Sequence, residues 1–364
     1  MRLFLLTICL LLSLSRTTTA QILYDNSTQG VILKALNYIY NYEFAESEAL
    51  QRQIKVKYPN HPVVPLLRAI QLQWQYLPVK DNKVVGSQYL ALLNDCLAKS
   101  EIIEKDPKNL AEVVFFQMAV HGYIAVVNNF NGDSFKAANE ARKAYSYVVK
   151  GFDLMEQNPE FYFSTGMYNY YVERYPIDHP IVKPVMLFLK DGNMALGLKQ
   201  VEMAALKSVF SRAESAFYLS RILLKHEKKY DRAAVLMANL VKTYPNNPIY
   251  LMKNVEALML AKKYEEAHRL NEILKTKSGT IYQLAAYVFE AMYQEKELKN
   301  DKLAMQSYLA TLKIPFDDEY TKDYHAFAYF GLSQIATRAK DPVKARNYLK
   351  KAQSLTEYEH IVRK

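Results

Sequence analysis

Lys228-Lys229-Tyr230-Asp231-Arg232-Ala233 and Lys262-Lys263-Tyr264-Glu265-Glu266-Ala267 are the same block, repeated with a shift of 34 residues. That shift also carries Leu236 onto Leu270 and Leu240 onto Leu274. Ala, Leu and Leu therefore return at i, i+3 and i+7, one face of an α-helix. Upstream of each block lies another amphipathic segment, 213–226 and 249–261. The repeating unit is thus two antiparallel helices, and a fixed period of this size marks a stacked helical array. The small residue at 233 and 267 has a physical reason. It stands where the two helices of a unit approach most closely, and a bulky side chain would wedge them apart.

Composition agrees with helices. The 364 residues are 50% apolar, 13% aromatic and 23% charged, far too apolar for a disordered tail. Only 10 Gly and 13 Pro occur, which argues against a turn-rich sandwich or barrel and against a glycine-rich nucleotide fold. With 29 Tyr against a single Trp, interhelical gaps are expected to be filled by Tyr and Phe.

Working outward, Leu332-Ser333, Ala345, Leu349 and Ala352 repeat the pattern near the C-terminus. Ala304 and Tyr308 repeat it less regularly, stretched by the loop at 314–319. At the N-terminal side, Ala35, Phe44 and Tyr58-Pro59-Asn60-His61-Pro62 fit a first unit. Tyr244-Pro245-Asn246-Asn247-Pro248 is their counterpart, and each lies 14 residues after an aromatic, Phe44 or Tyr230. Pro59 and Pro245 are expected to end the second helix of a unit.

On these residues (Tyr230, Tyr264, Ala233, Ala267, Ala304, Ala345, Pro59 and Pro245) the chain resembles the tetratricopeptide repeat family. The resemblance is closest over 211–280, although the signature Trp and most of the family's Gly positions are missing. It implies an all-α, right-handed α-solenoid of antiparallel helix pairs. The expected layout is 21–75 N-terminal repeat-like helices, 76–210 an irregular helical middle and 211–364 C-terminal repeats, in one continuous solenoid. In the middle, 78–86 reads as a loop, with helices over 88–105, 110–127, 134–155, 161–171 and 197–205. The pattern Gly166-Met167-Tyr168-Asn169-Tyr170-Tyr171 with Asp191-Gly192 and Gly197-Leu198 resembles exported bacterial tetratricopeptide proteins. These are distantly similar to repeat proteins of the inclusion-body-clearance type.

The first 20 residues read as a signal peptide. Arg2 precedes a 12-residue apolar run, and small residues surround the expected cleavage after Ala20. The run is short for a spanning helix. No later stretch reads as apolar enough to span a membrane. The expected location is therefore the periplasm or cell envelope. Cleavage removes Cys9 and leaves Cys96 as the sole thiol, on an apolar helical face, where a buried structural role is expected. The net charge of +10 falls by two when Arg2 and Arg16 leave. The scattered Lys and Arg read as solvated helix faces, and no nucleic-acid role is assigned.

Motifs for chemistry are missing from the sequence. The seven His form no pair at i, i+3 or i+4, and there is no H-E-x-x-H, G-x-S-x-G, Walker loop or G-x-G-x-x-G. Asn129-Phe130-Asn131-Gly132-Asp133 lacks the carboxylate spacing of a calcium loop and reads as a turn. His226 reads as a solvated helix end. The expectation is no catalysis, no cofactor and no metal. Stacked helix pairs instead present a groove for a peptide or a partner helix, so the expected partners are periplasmic or outer-membrane proteins. Tyr162, Tyr168, Tyr170, Tyr171 and Tyr175 form the most distinctive patch. They read either as a binding surface or as core filling, with 168, 171 and 175 on one helical face. A surface that binds a glycan or polymer through these rings is the alternative function.

Overall fold

The computed structural model describes residues 21–362, and the signal-peptide expectation for 1–20 lies outside the described residues. The chain is all-α: consecutive helices pack as antiparallel pairs in the manner of an α-solenoid, with no strand among the described residues. It divides into two compact units. The first holds the described residues up to 161 apart from 40–42, and the second holds 40–42 and 162 onward.

The first unit contains α1 (Asn26–Tyr40), α2 (Phe44–Lys57), α3 (Val63–Gln75), α4 (Lys83–Ile103), α5 (Leu110–Phe130) and α6 (Ser134–Leu154). Helix α4 begins inside the stretch expected to be a loop. The Asn82 side chain accepts from the N–H groups of Val84 and Val85 and so nucleates the helix early. Helix α5 corrects a second expectation. The segment Pro107–Phe130 is long and apolar enough to cross a membrane by length and composition. Its residues from Ala111 to His121 and Ile124 are mostly buried against α4 and α6, as in the central helix of a core.

The second unit opens with α7 (Phe161–Asp178), whose first residue belongs to the first unit, followed by α8 (Lys183–Met186) and α9 (Met194–Lys207). Four helix pairs follow. These are α10 (Arg212–Lys225) with α11 (Tyr230–Thr243), α12 (Pro248–Leu260) with α13 (Tyr264–Lys275), α14 (Thr280–Lys296) with α15 (Asp301–Thr311), and α16 (Lys322–Arg338) with α17 (Pro342–Leu355). A short α18 (Glu359–Val362) ends the described chain. The first helices of neighbouring pairs also touch one another, α10 on α12, α12 on α14 and α14 on α16, so they form one continuous face.

The two helices of a pair bury different amounts of surface for a reason visible in sequence. Helix α12 is buried from Pro248 to Met259 because it is covered on several sides. The second helices are amphipathic and bury one stripe: Ala233, Ala234, Met237 and Leu240 on α11, and Ala267, Asn271 and Leu274 on α13. Ala304 is likewise fully buried, whereas Ala345 is half-buried and its carbonyl accepts the Ser333 hydroxyl at 2.8 Å. Pro59 and Pro245 are exposed, one residue beyond buried Tyr58 and Tyr244, which close α2 and α11. Tyr230 and Tyr264 are half-buried at the first position of their helices.

One turn geometry joins the helices of each pair. Tyr42, Lys228, Lys262, Lys299 and Lys340 adopt positive φ between 53° and 62°, and Gly132 between α5 and α6 has φ 77°. The next residue donates its N–H to a carbonyl five or six positions back, as Lys263 does to Leu258, and the second helix starts immediately after it. This left-handed residue with its back-bonded neighbour is a helix stop. Five residues after the turn stands the small residue of the second helix: Ser47, Ala137, Ala233, Ala267, Ala304 or Ala345. Ser47 is fully buried and donates to the Ala35 carbonyl at 3.0 Å across the pair.

Candidate functional site

Helix α7 carries the tyrosine patch, and a glycine contact fixes how it sits. A Cβ on Gly197 of α9 would lie 2.7 Å from both the Gly166 carbonyl oxygen and the Tyr170 nitrogen. A Cβ on Gly166 would lie 2.8 Å from the Val201 nitrogen. The backbones of α7 and α9 therefore touch. The bare glycine pattern read from the sequence is the requirement of that close crossing. Tyr170, one turn after Gly166, is carried inward with it. It is fully buried, and its hydroxyl donates to Glu227 at 2.8 Å. Asn169 next to it donates to Gln200 of α9 at 2.7 Å.

The five tyrosines do not form one surface. Tyr171 is half-buried, edge-on to Tyr170 at 5.3 Å and to His226 at 6.0 Å. Tyr168 is half-buried and donates to the Lys190 carbonyl, and Tyr162 is half-buried. Tyr175 is 45% exposed, with its ring centroid 4.4 Å from that of His179. Shared position on a helical face thus misplaces Tyr175, and the deepest ring is Tyr170. The helix also runs on through Pro176 to Asp178, beyond the expected end at 171. The ion pair from Arg174 to Asp178, with two contacts of 2.8 Å, spans the proline and holds that last turn.

Around α7 and the face of first helices lies a connected set of buried charges. Arg174 also pairs with Glu359 of α18. Lys225 of α10 pairs with Asp323 of α16 at 2.9 Å. Lys253 of α12 pairs with Glu256 at 2.8 Å, and Glu256 also accepts the hydroxyls of Tyr324 at 2.7 Å and of Tyr358. Burial pulls the Lys253 ammonium down, and Glu256 partly restores it. For Asp323, the cation of Lys225 and the Thr356 hydroxyl outweigh the upward push of burial and lower the carboxyl. Rings run along the same face. Phe217 lies 5.7 Å from Tyr250, Phe289 5.1 Å from Tyr324, and Phe327 5.0 Å from Tyr358.

His226 departs from its expected solvated role. It is 7% exposed between Tyr170 and Tyr171, and neither ring nitrogen has a hydrogen-bond partner within reach. The Asp178 carboxylate stands 3.8 Å from its Nδ1. Burial first, and the Arg174 cation second, hold it down at about 4. Sequence reasoning missed His226 and the acids and bases around it because their partners come from segments far apart in the chain.

Elsewhere, three sets of titratable groups make structural contacts. In the first unit the His61 Nδ1 accepts from the Val63 N–H at 3.2 Å, so Nε2 carries the proton and donates to Glu112 at 3.0 Å. Glu112 also accepts from the Leu23 N–H at 2.8 Å. Cys96 is fully buried and donates to the Pro62 carbonyl, and burial pushes its thiol up, away from the reactive thiolate. In the second unit His268, Glu272 and Glu290 place ligand atoms within 4.8 Å of one another. The Lys275 ammonium bridges both carboxylates at 2.5 and 3.1 Å and supplies the positive charge there.

The fold and these contacts define an all-α helical-pair protein with a polar, ring-lined face. Comparison of the chain with protein-family models finds no match, and comparison with curated proteins finds none either.

Proposed function

We propose that the chain is an exported, non-catalytic interaction scaffold of the tetratricopeptide type, whose face of first helices holds a peptide or helix of a periplasmic or outer-membrane partner. One observation carries the reading. The face built by α10, α12 and α16 engages a stretch of polypeptide outside any helix pair, residues 356–359, through rings and buried charges. A surface of this kind, aromatic at its centre with paired charges around it, has the composition of protein interfaces. Export rests on the sequence of residues 1–20. The glycan alternative is weaker on this geometry, because Tyr170 is buried and Tyr168 and Tyr171 are only half-exposed, which leaves Tyr175 as the one open ring of the patch.

Affinity capture from envelope extracts tests the proposal. The parent protein is expected to recover a partner in stoichiometric amount. Arg221→Glu, on the inner side of α10, is expected to lose it, while Lys242→Glu on exposed α11 retains it. A partner that survives Arg221→Glu but is lost with Lys242→Glu overturns the assignment of the face. A purified protein that recovers no partner and binds glycans through Tyr175 overturns the function.

A further inference from the structure

The inference deepens the reading above, and rests on it, by naming the chemistry that the face of first helices accepts. After α17 the chain leaves the helix pairs at Thr356 in extended backbone, φ −145° and ψ 156°. It then lies back against α7, α12 and α16, and against α10, whose Lys225 ammonium stands 5.5 Å from the Tyr358 ring centroid. The Thr356 hydroxyl donates to Asp323 of α16 at 2.6 Å. Tyr358, 1% exposed, sets its ring edge-on to Phe327 and donates its hydroxyl to Glu256 of α12. Glu359, 5% exposed, pairs with Arg174 of α7, and Lys228 stands 3.9 Å away. The segment Thr-Glu-Tyr-Glu is thus held by one aromatic pocket, by two carboxylates that accept its hydroxyls and by cations on Glu359, as an acidic, tyrosine-bearing ligand is held.

Among the described residues, the cations of this face have carboxylate partners with one exception. Arg174, Lys225 and Lys253 all have carboxylates. Arg221, one turn before Lys225 on the same side of α10, rests on the rings of Phe217 and Tyr218 at 5.8 and 5.7 Å. It is half-buried and makes no hydrogen bond or ion pair with the described residues. A guanidinium fork of this kind matches a carboxylate bidentately. The described residues of the tail supply none, so their occupancy of the face is incomplete.

We propose that residues 356–362 are an internal, displaceable occupant of a peptide-binding face, and that the face binds in trans an acidic, tyrosine-bearing peptide whose additional carboxylate pairs with Arg221. Such a peptide repeats the Tyr358 and Glu359 contacts and adds the ion pair that the tail does not make. A charge-assisted pair of this type is expected to improve affinity by about tenfold to a hundredfold. The tail then sets a threshold: only segments that also reach Arg221 displace it.

Fluorescence anisotropy with a labelled peptide of the sequence of residues 353–362, alone and with a three-residue acidic extension at its N-terminus, tests this. The full chain is compared with its Tyr358→Ala/Glu359→Gln variant, in which the tail anchors are removed. The variant is expected to bind the unextended peptide at least tenfold more tightly than the parent. The extended peptide is expected to bind more tightly still, and Arg221→Met in the variant background to remove that gain alone. Where circular dichroism shows the double variant unfolded, Glu359→Gln alone takes its place with the same expectation. Equal binding of the peptide by parent and folded variant, or of a scrambled peptide by the variant, overturns the proposal. An Arg221→Met variant with undiminished affinity for the extended peptide overturns the role of Arg221. If envelope partners are captured through Arg221 yet are not competed by the peptide, this proposal fails and the interaction reading stands. If capture itself is independent of Arg221, that reading fails instead.

Discussion

Gly197→Ala separates backbone contact from helix propensity, two effects of opposite sign. In an open helix interior, Gly→Ala stabilises by about 0.5–1 kcal/mol. Gly122 on α5 is such a site, with nothing within 4 Å of its would-be Cβ, so Gly122→Ala is expected to gain about that amount. At Gly197 the added carbon meets the Gly166 oxygen and Tyr170 nitrogen at 2.7 Å and the Tyr170 Cα at 3.1 Å. These are backbone atoms, so no side chain can swing away, and carbon contacts prefer about 3.5–4.0 Å. Helices α7 and α9 must therefore separate by something over about half an ångström. Overpacking of this kind costs about 1–3 kcal/mol. The Asn169–Gln200 hydrogen bond, which crosses the same junction, stretches as the helices part and adds roughly another 1 kcal/mol. Against the propensity gain, the net loss is about 2 kcal/mol. Urea denaturation followed at 222 nm measures it, with the transition of each unit fitted separately because two units need not unfold as one. The reasoning is refuted if Gly197→Ala matches the parent while Gly122→Ala gains as expected, since the crossing would then have room that the backbone contact denies.

Two further outcomes follow from the buried charges of the second unit. His226 binds its proton near 4 in the folded chain and near the ordinary 6.5 when unfolded, so the unfolded state holds more protons between those values. Stability is complete above about pH 6.5 and falls as pH drops towards 4, by up to about 3 kcal/mol from this group. His226→Gln is expected to flatten the pH dependence of the urea midpoint in that window, and an unchanged slope would contradict the buried, uncharged ring. Glu256 is 1% exposed and compensates buried Lys253, so Glu256→Gln leaves an ammonium without its counter-charge and is expected to cost about 3–5 kcal/mol. A loss under 1 kcal/mol in the same denaturation assay would mean that solvent reaches Lys253.

The helix pairs were legible because their chemistry is local. The spacing of 34 between Ala233 and Ala267 is also the spacing between the turn residues Lys228 and Lys262, and between the helix starts Tyr230 and Tyr264. The later pairs keep the internal register while the period drifts: turn residue and small residue move together to Lys299 and Ala304, then to Lys340 and Ala345. A fixed shift loses them because α14, with 17 residues against 13 in α12, lengthens the first of these steps, and the connection at 314–319 lengthens the second. The turn itself left little mark in composition. Tyr, Lys and Gly all take the positive φ, because the back-bonded N–H of the next residue sets the geometry whether the side chain is exposed, as at Lys262, Lys299 and Lys340, or half-buried, as at Tyr42. Ser47 and Ala137 then stand in the small position without matching the Ala-Leu-Leu pattern in full, which hid the pair formed by α5 and α6.

The site was hidden for a different reason. Arg174 meets Glu359 across 185 residues, Tyr358 meets Glu256 across 102, and Tyr324 meets Glu256 across 68. Each side chain taken alone looks like an ordinary charged or aromatic helix residue, and only the return of the chain over its own helices brings them together. Periodicity reports which face of a helix is apolar, and it places Lys253 and Glu256 on a helix so apolar that their burial follows. It says nothing of what covers the face. That cover is the acidic, tyrosine-bearing segment 356–362, whose pattern Thr356-Glu357-Tyr358-Glu359 belongs to no helix pair. A segment without a structural repeat to serve, held by rings, carboxylates and cations and leaving one guanidinium unmatched among the described residues, has the properties of a ligand more than of a cap. Ile361, fully buried, and the Ile361 and Val362 carbonyls, which accept from Gln353, make the contacts of an end cap, whereas Thr356, Tyr358 and Glu359 go beyond one and spend their polar groups on α16, α12 and α7.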